Sequence, residues 1–531
     1  MQRIRRRTDQ SMSESHQIPV KIEKIRELLP DGVWRGEAPA ELTTVADDSR
    51  EVTAAGTFVA IVGRETDGHM YLAKAVEAGA ALLIVDSKHV EANPGLLEPV
   101  RGRAVLLVPD TRQAASILAD EFYGHPSREL RIHGVTGTKG KTTTVHLIAD
   151  ILREAGLRPA SMGTLGVEFG EDRFSSALTT PGPIEFHGRL RYLADRGATD
   201  LACEISAHAG AFLRTSSARF ETVAYMNLSR DHLDDFSWEE YVDAKLTIAR
   251  DAAKINPSVK GIANARETYS AQFLDPIAPE NRLRFAVFAE GENPLDPASD
   301  LAVIIHSRSS IDLSMTVRTK KWEREVLLPL IGKFNAENAA AAATVAMSMG
   351  LAPDVIAQGL NRAKSVPGRL ERIDLGQNFL VVVDYAHAPQ PAQEVLACLR
   401  ETTPGNLIAV MGAGGSRDRG KRPMMGEVLA RDADIAVITS DNPRKEEPLD
   451  IINDILVGVG RVKDASAEIV VEVDRRKAIE TALERARKGD TVAILGKGHE
   501  TYQIFRDRTI HFDDREVARE WLEKHGHTGG K

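Results

Sequence analysis

The sequence predicts an α/β protein of three domains: an N-terminal α/β domain, a central P-loop-type parallel sheet, and a C-terminal Rossmann-like α/β domain. Three observations predict it. The 531 residues exceed what one ordinary core organises, and the length suggests about three domains. Short apolar runs alternate with helix-compatible stretches throughout, which is the pattern of parallel strands joined by helical crossovers. And Arg131-Ile-His-Gly-Val-Thr-Gly-Thr-Lys-Gly-Lys-Thr-Thr-Thr144 carries an apolar strand into a Gly/Thr-rich loop and then a helix.

In the first block Thr57–Val62, Ala81–Val85 and Ala104–Val108 read as strands, with helices at Tyr71–Ala78 and Thr111–Tyr123. Gly124-His-Pro-Ser127 reads as a linker. The second block continues through strands Leu201–Ile205 and Thr222–Met226, a strand-rich excursion from Glu290 to Trp322, and an alanine helix, Ala336–Met349, ended by Gly350. Past Pro367-Gly368 the third block places strands at Leu380–Asp384, Leu407–Met411, Ile435–Ile438 and Val492–Leu495. The expected domains are therefore 18–126, 127–366 and 367–531, after a disordered basic arm at 1–17 or an upstream start ahead of Met12.

Composition narrows the function. A net charge of −9 argues against a general nucleic-acid or membrane-surface binder. The apolar runs are too short to span a bilayer, and residues 1–7 lack the apolar core of a secretion signal. Two cysteines, Cys203 and Cys398, in apolar segments fit a reducing cytoplasm. A cytoplasmic monomer without nucleic-acid or membrane partners is expected.

In parallel sheets ligands sit beyond the carboxyl ends of strands, and most chemistry-bearing segments fall there. Gly137, Thr138, Lys139, Gly140, Lys141, Thr142 and Thr143 have the makings of a triphosphate cradle. Backbone N–H groups close around phosphate oxygens, the helix N-terminus adds positive charge, Lys141 supplies a cation, and Thr142 or Thr143 offers a hydroxyl to Mg²⁺. The fit to G-x-x-x-x-G-K-[ST] is imperfect, with Val135 in the first glycine's place. Glu204, after an apolar strand, sits where a Mg²⁺-binding carboxylate belongs, or is a solvated or capping residue. In Asn227-Leu-Ser-Arg-Asp-His-Leu-Asp234, His232 could complete a metal shell and Asp231 orient a base or a metal water; a polar turn is the bland alternative. Spacing alone makes Lys245 an ordinary surface lysine. Asn335 and Asn338 share a helical face and could read an adenine edge or cap the helix. The third block adds Arg369, Asp384-Tyr-Ala-His387, Gly412–Arg417, Asp441-Asn442-Pro443-Arg444 and Gly496-Lys-Gly-His-Glu500. Several could be simple turns, but together they form a cleft with both signs of charge, suited to a zwitterionic small molecule.

These segments, in this order from about Val20 to Glu523, resemble the Mur ligases, the ATP-dependent amide-forming enzymes of peptidoglycan precursor synthesis, and within them the branch that adds the third residue to UDP-N-acetylmuramoyl-L-alanyl-D-glutamate. The resemblance implies that the N-terminal domain holds the uridine diphosphate through Asp48-Ser49-Arg50 and Arg64-Glu-Thr-Asp-Gly68. It implies ATP on Gly137–Thr143, one Mg²⁺ on Thr142 or Thr143 and Glu204, a second joined by His232, and a carbamylated Lys245 beside them. Asn335 and Asn338 match adenine-side residues; Arg369 and Asp384 to His387 would close over ATP. Thr179, Thr180, Ser206 and Arg214 would touch the muramoyl dipeptide. Asp441–Arg444 resembles the box of enzymes that take meso-diaminopimelate, whose distal carboxylate an arginine can hold bidentately; Arg417, Gly496 and Glu500 match the remaining amino-acid contacts. Lys139, Ala207 and Phe212 depart from the family pattern. Competing expectations are the same ligation with lysine or another amino acid, a folylpolyglutamate-synthetase-like ligase, a small-molecule kinase, and a nucleotide-binding scaffold without catalysis.

Overall fold

A computed structural model describes residues 17–63, 66–230, 235–292, 299–463 and 466–528. Three sheets dominate them. The first has strands β1 (Val33–Arg35), β2 (Val45–Ala46), β3 (Gly56–Val59), β4 (Ala80–Asp86) and β5 (Val105–Val108), in the order β1-β5-β4-β3-β2. All its pairings are parallel except β1 with β5. Helix α1 (Thr111–Phe122) packs Ala115, Leu118 and Phe122 onto it, and Asp110 caps the helix by accepting from the Arg112 and Gln113 amides. Strand β3 stops before the expected Val62, because Val62 leaves the sheet for an antiparallel bridge with Asp67.

The central sheet has eleven strands. In chain order they are β6 (Arg131–Thr136), β7 (Pro159–Gly163), β8 (Gly166–Phe169), β9 (Asp172–Phe174), β10 (Asp200–Glu204), β11 (Phe220–Tyr225), β12 (Lys260–Asn264), β13 (Arg282–Ala289), β14 (Leu301–Arg308), β15 (Leu313–Thr319) and β16 (Glu323–Leu328). Their spatial order is β9-β8-β7-β10-β6-β11-β12-β13-β14-β15-β16. The strands from β7 to β14 in that order run parallel, with antiparallel hairpins at both edges. The strand-rich excursion is therefore an extension of the sheet. Both faces are covered, so the parallel strands read as continuous apolar runs. Helices α2 (Lys141–Glu154) and α3 (Phe334–Ser348) bury their alanine, valine and leucine faces together on one side.

The third sheet has strands β17 (Glu371–Arg372), β18 (Leu380–Asp384), β19 (Leu407–Met411), β20 (Ile435–Ile438), β21 (Glu468–Val471) and β22 (Thr491–Leu495), in the order β17-β18-β22-β19-β20-β21. All pairings but β17 with β18 are parallel. Strand order reverses around β22, which lies between β18 and β19, and this is where a crevice opens at the carboxyl ends. Beneath that end Arg475 and Asp514 form a fully buried ion pair at 2.7 Å; Arg475 also donates to the Leu495 and Ser440 carbonyls, so the pair ties two strand ends together. No helix among the described residues is long and apolar enough to cross a membrane.

Candidate functional site

The phosphate loop is built by its glycines. Gly140 has φ +86°, and a Cβ there would overlap the Asn338 carboxamide oxygen, so only glycine lets the loop pass the asparagine. The left-handed residue also starts the helix at once, at Lys141. Around the loop Asn227 forms a two-bond clasp: its Oδ1 accepts from the Lys139 amide at 2.9 Å and its Nδ2 donates to the Lys139 carbonyl at 3.2 Å. Thr138 shares its hydroxyl with the Ser229 amide at 3.0 Å and with Tyr241 at 3.0 Å. Asn227, Ser229 and Tyr241 thus fix the shape of the loop, as a charge-stabilising site needs.

Two lysines converge on it. Lys141 Nζ and Lys245 Nζ each donate to the Gly137 carbonyl at 2.8 Å. Lys245, on helix Trp238–Ile255, is 2% exposed, so it is no surface lysine. Thr142 and Thr143 are buried in the first turn of α2. Glu204 is 2% exposed, ruling out a solvated strand end; it accepts from the Thr164 amide at 2.8 Å, and its side chain fills the space a Cβ on Gly163 would need. Nothing in the sequence singled out Thr164; its signal is its place at the end of β7, beside β10. Asp231 and His232 lie outside the described residues, as does Arg64.

Asn335 and Asn338 are buried against this loop. Asn335 Nδ2 donates to the Ile331 carbonyl at 2.7 Å, Asn338 Nδ2 to Asn335 Oδ1 at 2.8 Å, and Thr144 reaches Asn338 Oδ1 at 3.3 Å. Neither caps α3, whose first turn has no side-chain cap.

On the N-terminal side, Thr180 accepts from the Ser206 amide at 3.0 Å and donates to the Glu204 carbonyl at 2.8 Å. Arg214 donates to the Thr180 carbonyl at 2.8 Å; Thr179 lies 3.2 Å from Thr164. Ser206 caps the short helix holding Ala207 and His208. Phe212 has a structural account: the guanidinium carbons of Arg112 and Arg214 lie 4.7 and 5.5 Å from its ring centroid, and Arg112 also donates to the Val62 carbonyl at 2.8 Å. Ser49 sits in the turn closed by the Asp48–Arg50 pair, away from these residues' hydrogen bonds.

The third block reaches the phosphate loop directly. Arg369 Nη2 lies 3.4 Å from Thr142 Oγ1, and Lys139 Nζ pairs with Glu394 on helix Pro389–Arg400 at 2.6 Å, giving the unexpected Lys139 a partner. Asp384 accepts from the Leu370 amide at 2.7 Å and the Ala386 amide at 2.8 Å, fixing the Arg369 loop; burial pushes its carboxyl up. His387 Nδ1 meets the Tyr385 carbonyl at 2.8 Å, and burial lowers its pKa.

At the other end of the crevice Asp441 and Asn442 are buried behind Pro443. Asn442 Nδ2 donates to Glu500 Oε2 at 2.9 Å, and the fully buried Lys497 donates to the same oxygen at 3.0 Å. Arg444 holds φ +54°, a strained value for a non-glycine residue; its amide donates to Ile504 and its Nη1 to the Gly415 carbonyl, both at 3.0 Å. Gly414 and Gly496 leave room for Arg444 and Asp441 respectively, since a Cβ on either would come within 3.0 Å of them. Arg417 is exposed at the rim. The third block thus carries, beyond the arginine that reaches the phosphate cradle, the Arg444 guanidinium and the Glu500 carboxylate at neighbouring strand ends.

Comparison with known proteins gives three family matches: the Mur ligase family catalytic domain over residues 41–123, the Mur ligase middle domain over 135–346, and the Mur ligase glutamate ligase domain over 368–498. A UDP-N-acetylmuramoyl-L-alanyl-D-glutamate–2,6-diaminopimelate ligase of Solibacter usitatus is 40% identical over 491 residues, covering 92% of this chain and 95% of the relative. The enzyme of that name from Aquifex aeolicus is 39% identical over 477 residues, covering 90% and 92%. A solved structure of a ligase of that name superposes with a TM-score of 0.67 at 29% identity, covering 95% of this chain and 99% of that one. A folylpolyglutamate synthase of Thermotoga maritima shares the fold over 78% of this chain, at TM-score 0.57 and 16% identity.

Proposed function

The chain belongs to the Mur ligase family, and from that premise we propose that it joins meso-diaminopimelate to the D-glutamate γ-carboxylate of UDP-N-acetylmuramoyl-L-alanyl-D-glutamate, consuming ATP. The observation that carries the amino-acid assignment is Arg444, held in a strained backbone with its guanidinium against Gly415 on the same crevice as Glu500. A guanidinium matches a distal carboxylate in geometry and charge, which lysine as substrate lacks. Glu500 faces the distal ammonium, with Arg417, Asp441, Asn442, Pro443 and Gly496 completing the pocket.

ATP lies along Gly137–Thr143, with Asn335 and Asn338 on the adenine side and Asp384 and His387 over it. Ser49 and Arg64 serve the uridine diphosphate, and Thr179, Thr180, Ser206 and Arg214 the muramoyl dipeptide. The γ-carboxylate attacks the γ-phosphorus; the bond to the ADP oxygen breaks and an acyl phosphate forms. The amine of diaminopimelate then attacks the acyl carbon, and phosphate leaves. Lys141 and Arg369 neutralise charge on the phosphoryl group, the largest expected term in such transfers.

Thr142 or Thr143 with the buried Glu204 would hold one Mg²⁺, and His232 with a carbamylated Lys245 a second, with Asp231 alongside. When bound, they would offset the negative charge of the phosphates. Carbamylation of Lys245 is supported by its buried place at the phosphate loop, where its Nζ meets the Gly137 carbonyl beside Lys141.

The test supplies UDP-muramoyl-dipeptide, ATP and Mg²⁺ with diaminopimelate, lysine or ornithine singly, and reads phosphate release. Turnover with diaminopimelate alone is expected. Turnover with lysine but not diaminopimelate overturns the assignment.

A further inference from the structure

His499 lies on the loop that links the two ends of the crevice, one residue before Glu500 and with no role in the scheme above. Its place is tightly fixed. A Cβ on Gly368 would overlap the Gly498 carbonyl carbon and the His499 amide nitrogen, so the loop carrying Arg369 and the loop carrying His499 touch backbone to backbone. Both glycines use left-handed φ, +65° and +53°, and both approaches exclude a side chain. Glu371 accepts from the Gly368 amide at 2.9 Å and pairs with Arg515 at 3.5 Å, while Arg515 reaches the His499 carbonyl at 3.4 Å. Tyr385 serves both side chains: Arg369 lies 5.0 Å over its ring, and the His499 ring is 4.9 Å away.

Two buried polar atoms in this cluster have no hydrogen-bond partner among the described residues: Arg369 Nε and His499 Nδ1. Buried polar atoms are nearly always paired, so two orphans on side chains that both pack on Tyr385 point to an oxygen that a ligand supplies. Arg369 also reaches Thr142 Oγ1 in the first turn after the phosphate loop. The residue after His499 binds Asn442 in the amino-acid pocket. In the scheme above, the transferring phosphoryl group passes between those two ends.

We propose that His499 is a further catalytic residue of the ligation, its Nδ1–H donating, beside Arg369 Nε, to a non-bridging oxygen of the phosphoryl group during its transfer to the carboxylate and its departure as phosphate. This rests on the reading of the chain as an acyl-phosphate-forming ligase. No proton is transferred by His499: the bonds that form and break are those already described, and the imidazole only stabilises charge. Its surroundings suit a donor and not a base. Burial and the neighbouring Arg369, Arg515 and Lys497 charges hold its pKa at about 3, so it has little affinity for the proton of an incoming ammonium.

The test uses the full chain with UDP-muramoyl-dipeptide, ATP, Mg²⁺ and diaminopimelate. Wild-type turnover is measured first; its absence overturns the functional reading itself and is read apart from the variants. His499→Ala is expected to lower kcat on the order of 100-fold, as loss of one preorganised donor does, with KM for ATP and diaminopimelate within about twofold. His499→Asn, whose amide nitrogen reaches the Nδ1 position, restores about tenfold of that loss, whereas His499→Gln, whose donor reaches the Nε2 position, does not. If alanine does not fold, the Asn/Gln contrast decides alone. Equal losses in Asn and Gln, wild-type kcat in alanine, or a loss confined to KM for diaminopimelate overturns the proposal.

Discussion

Replacing Arg444 with lysine isolates what the guanidinium contributes. Lysine keeps the positive charge and can keep the backbone amide bond to Ile504, but it cannot present a planar fork. It also gives up the Nη1 bond to Gly415, the contact that orients the guanidinium in the pocket. A hydrogen bond to a charged group contributes about 1.5–3 kcal/mol. At about 1.4 kcal/mol per decade, losing one such bond to the distal carboxylate lowers kcat/KM for diaminopimelate about 10- to 150-fold. Because the loss is in binding one substrate, KM for ATP stays within about twofold. L-Lysine, having no distal carboxylate, loses nothing comparable. The assay is steady-state phosphate release with each amino acid varied at saturating ATP and UDP-muramoyl-dipeptide. A diaminopimelate kcat/KM within about twofold of wild type would remove Arg444 from the pocket and refute the reasoning.

Gly140→Ala places a Cβ on the Asn338 oxygen at a left-handed φ, so nucleotide binding is expected to disappear; titration with a fluorescent ADP analogue showing near-wild-type affinity would contradict this. Asp514→Ala leaves the Arg475 guanidinium buried without its partner, which costs about 3–5 kcal/mol; urea unfolding followed through the C-terminal domain measures it, and a loss under about 1 kcal/mol speaks against the pair's structural role. Asp47 has its pKa raised from 3.8 to about 6, by burial first and then by repulsion from Glu51. The folded state therefore holds this proton more tightly than the unfolded chain. Its favourable contribution is full below the ordinary carboxyl range and is lost as pH rises through about 6. Asp47→Asn should remove that downward slope from the stability–pH curve between those limits; parallel curves for variant and wild type count against it.

The sequence made the sheets legible because buried parallel strands read as unbroken apolar runs. Leu380–Asp384, Leu407–Met411 and Ile435–Ile438 lie where the runs place them. Boundaries moved where local backbone chemistry prevailed over pattern. The apolar run carries the strand reading to Val62, whereas Val62 leaves the sheet to bridge Asp67 and the strand ends at Val59. The site was legible as a set of strand ends but not as contacts. Helical spacing cannot say which face of Trp238–Ile255 meets the phosphate loop, so Lys245 reads as a surface residue although it is buried. Thr164 escapes notice because its role comes from Glu204 on a neighbouring strand, forty residues away in sequence. Lys139 and Phe212 look like mere departures until the fold supplies Glu394 to one and two arginines to the other.

The central claim is that this crevice activates a carboxylate by phosphorylation and delivers it to diaminopimelate. It is tested most directly by one isotope experiment. UDP-muramoyl-dipeptide carrying ¹⁸O in the D-glutamate γ-carboxylate is incubated with ATP, Mg²⁺ and diaminopimelate, and both products are weighed by mass spectrometry. The account predicts one ¹⁸O in the released phosphate and a product heavier than the labelled dipeptide by diaminopimelate less one ¹⁸O-water. Unlabelled phosphate, or label in AMP, would contradict it.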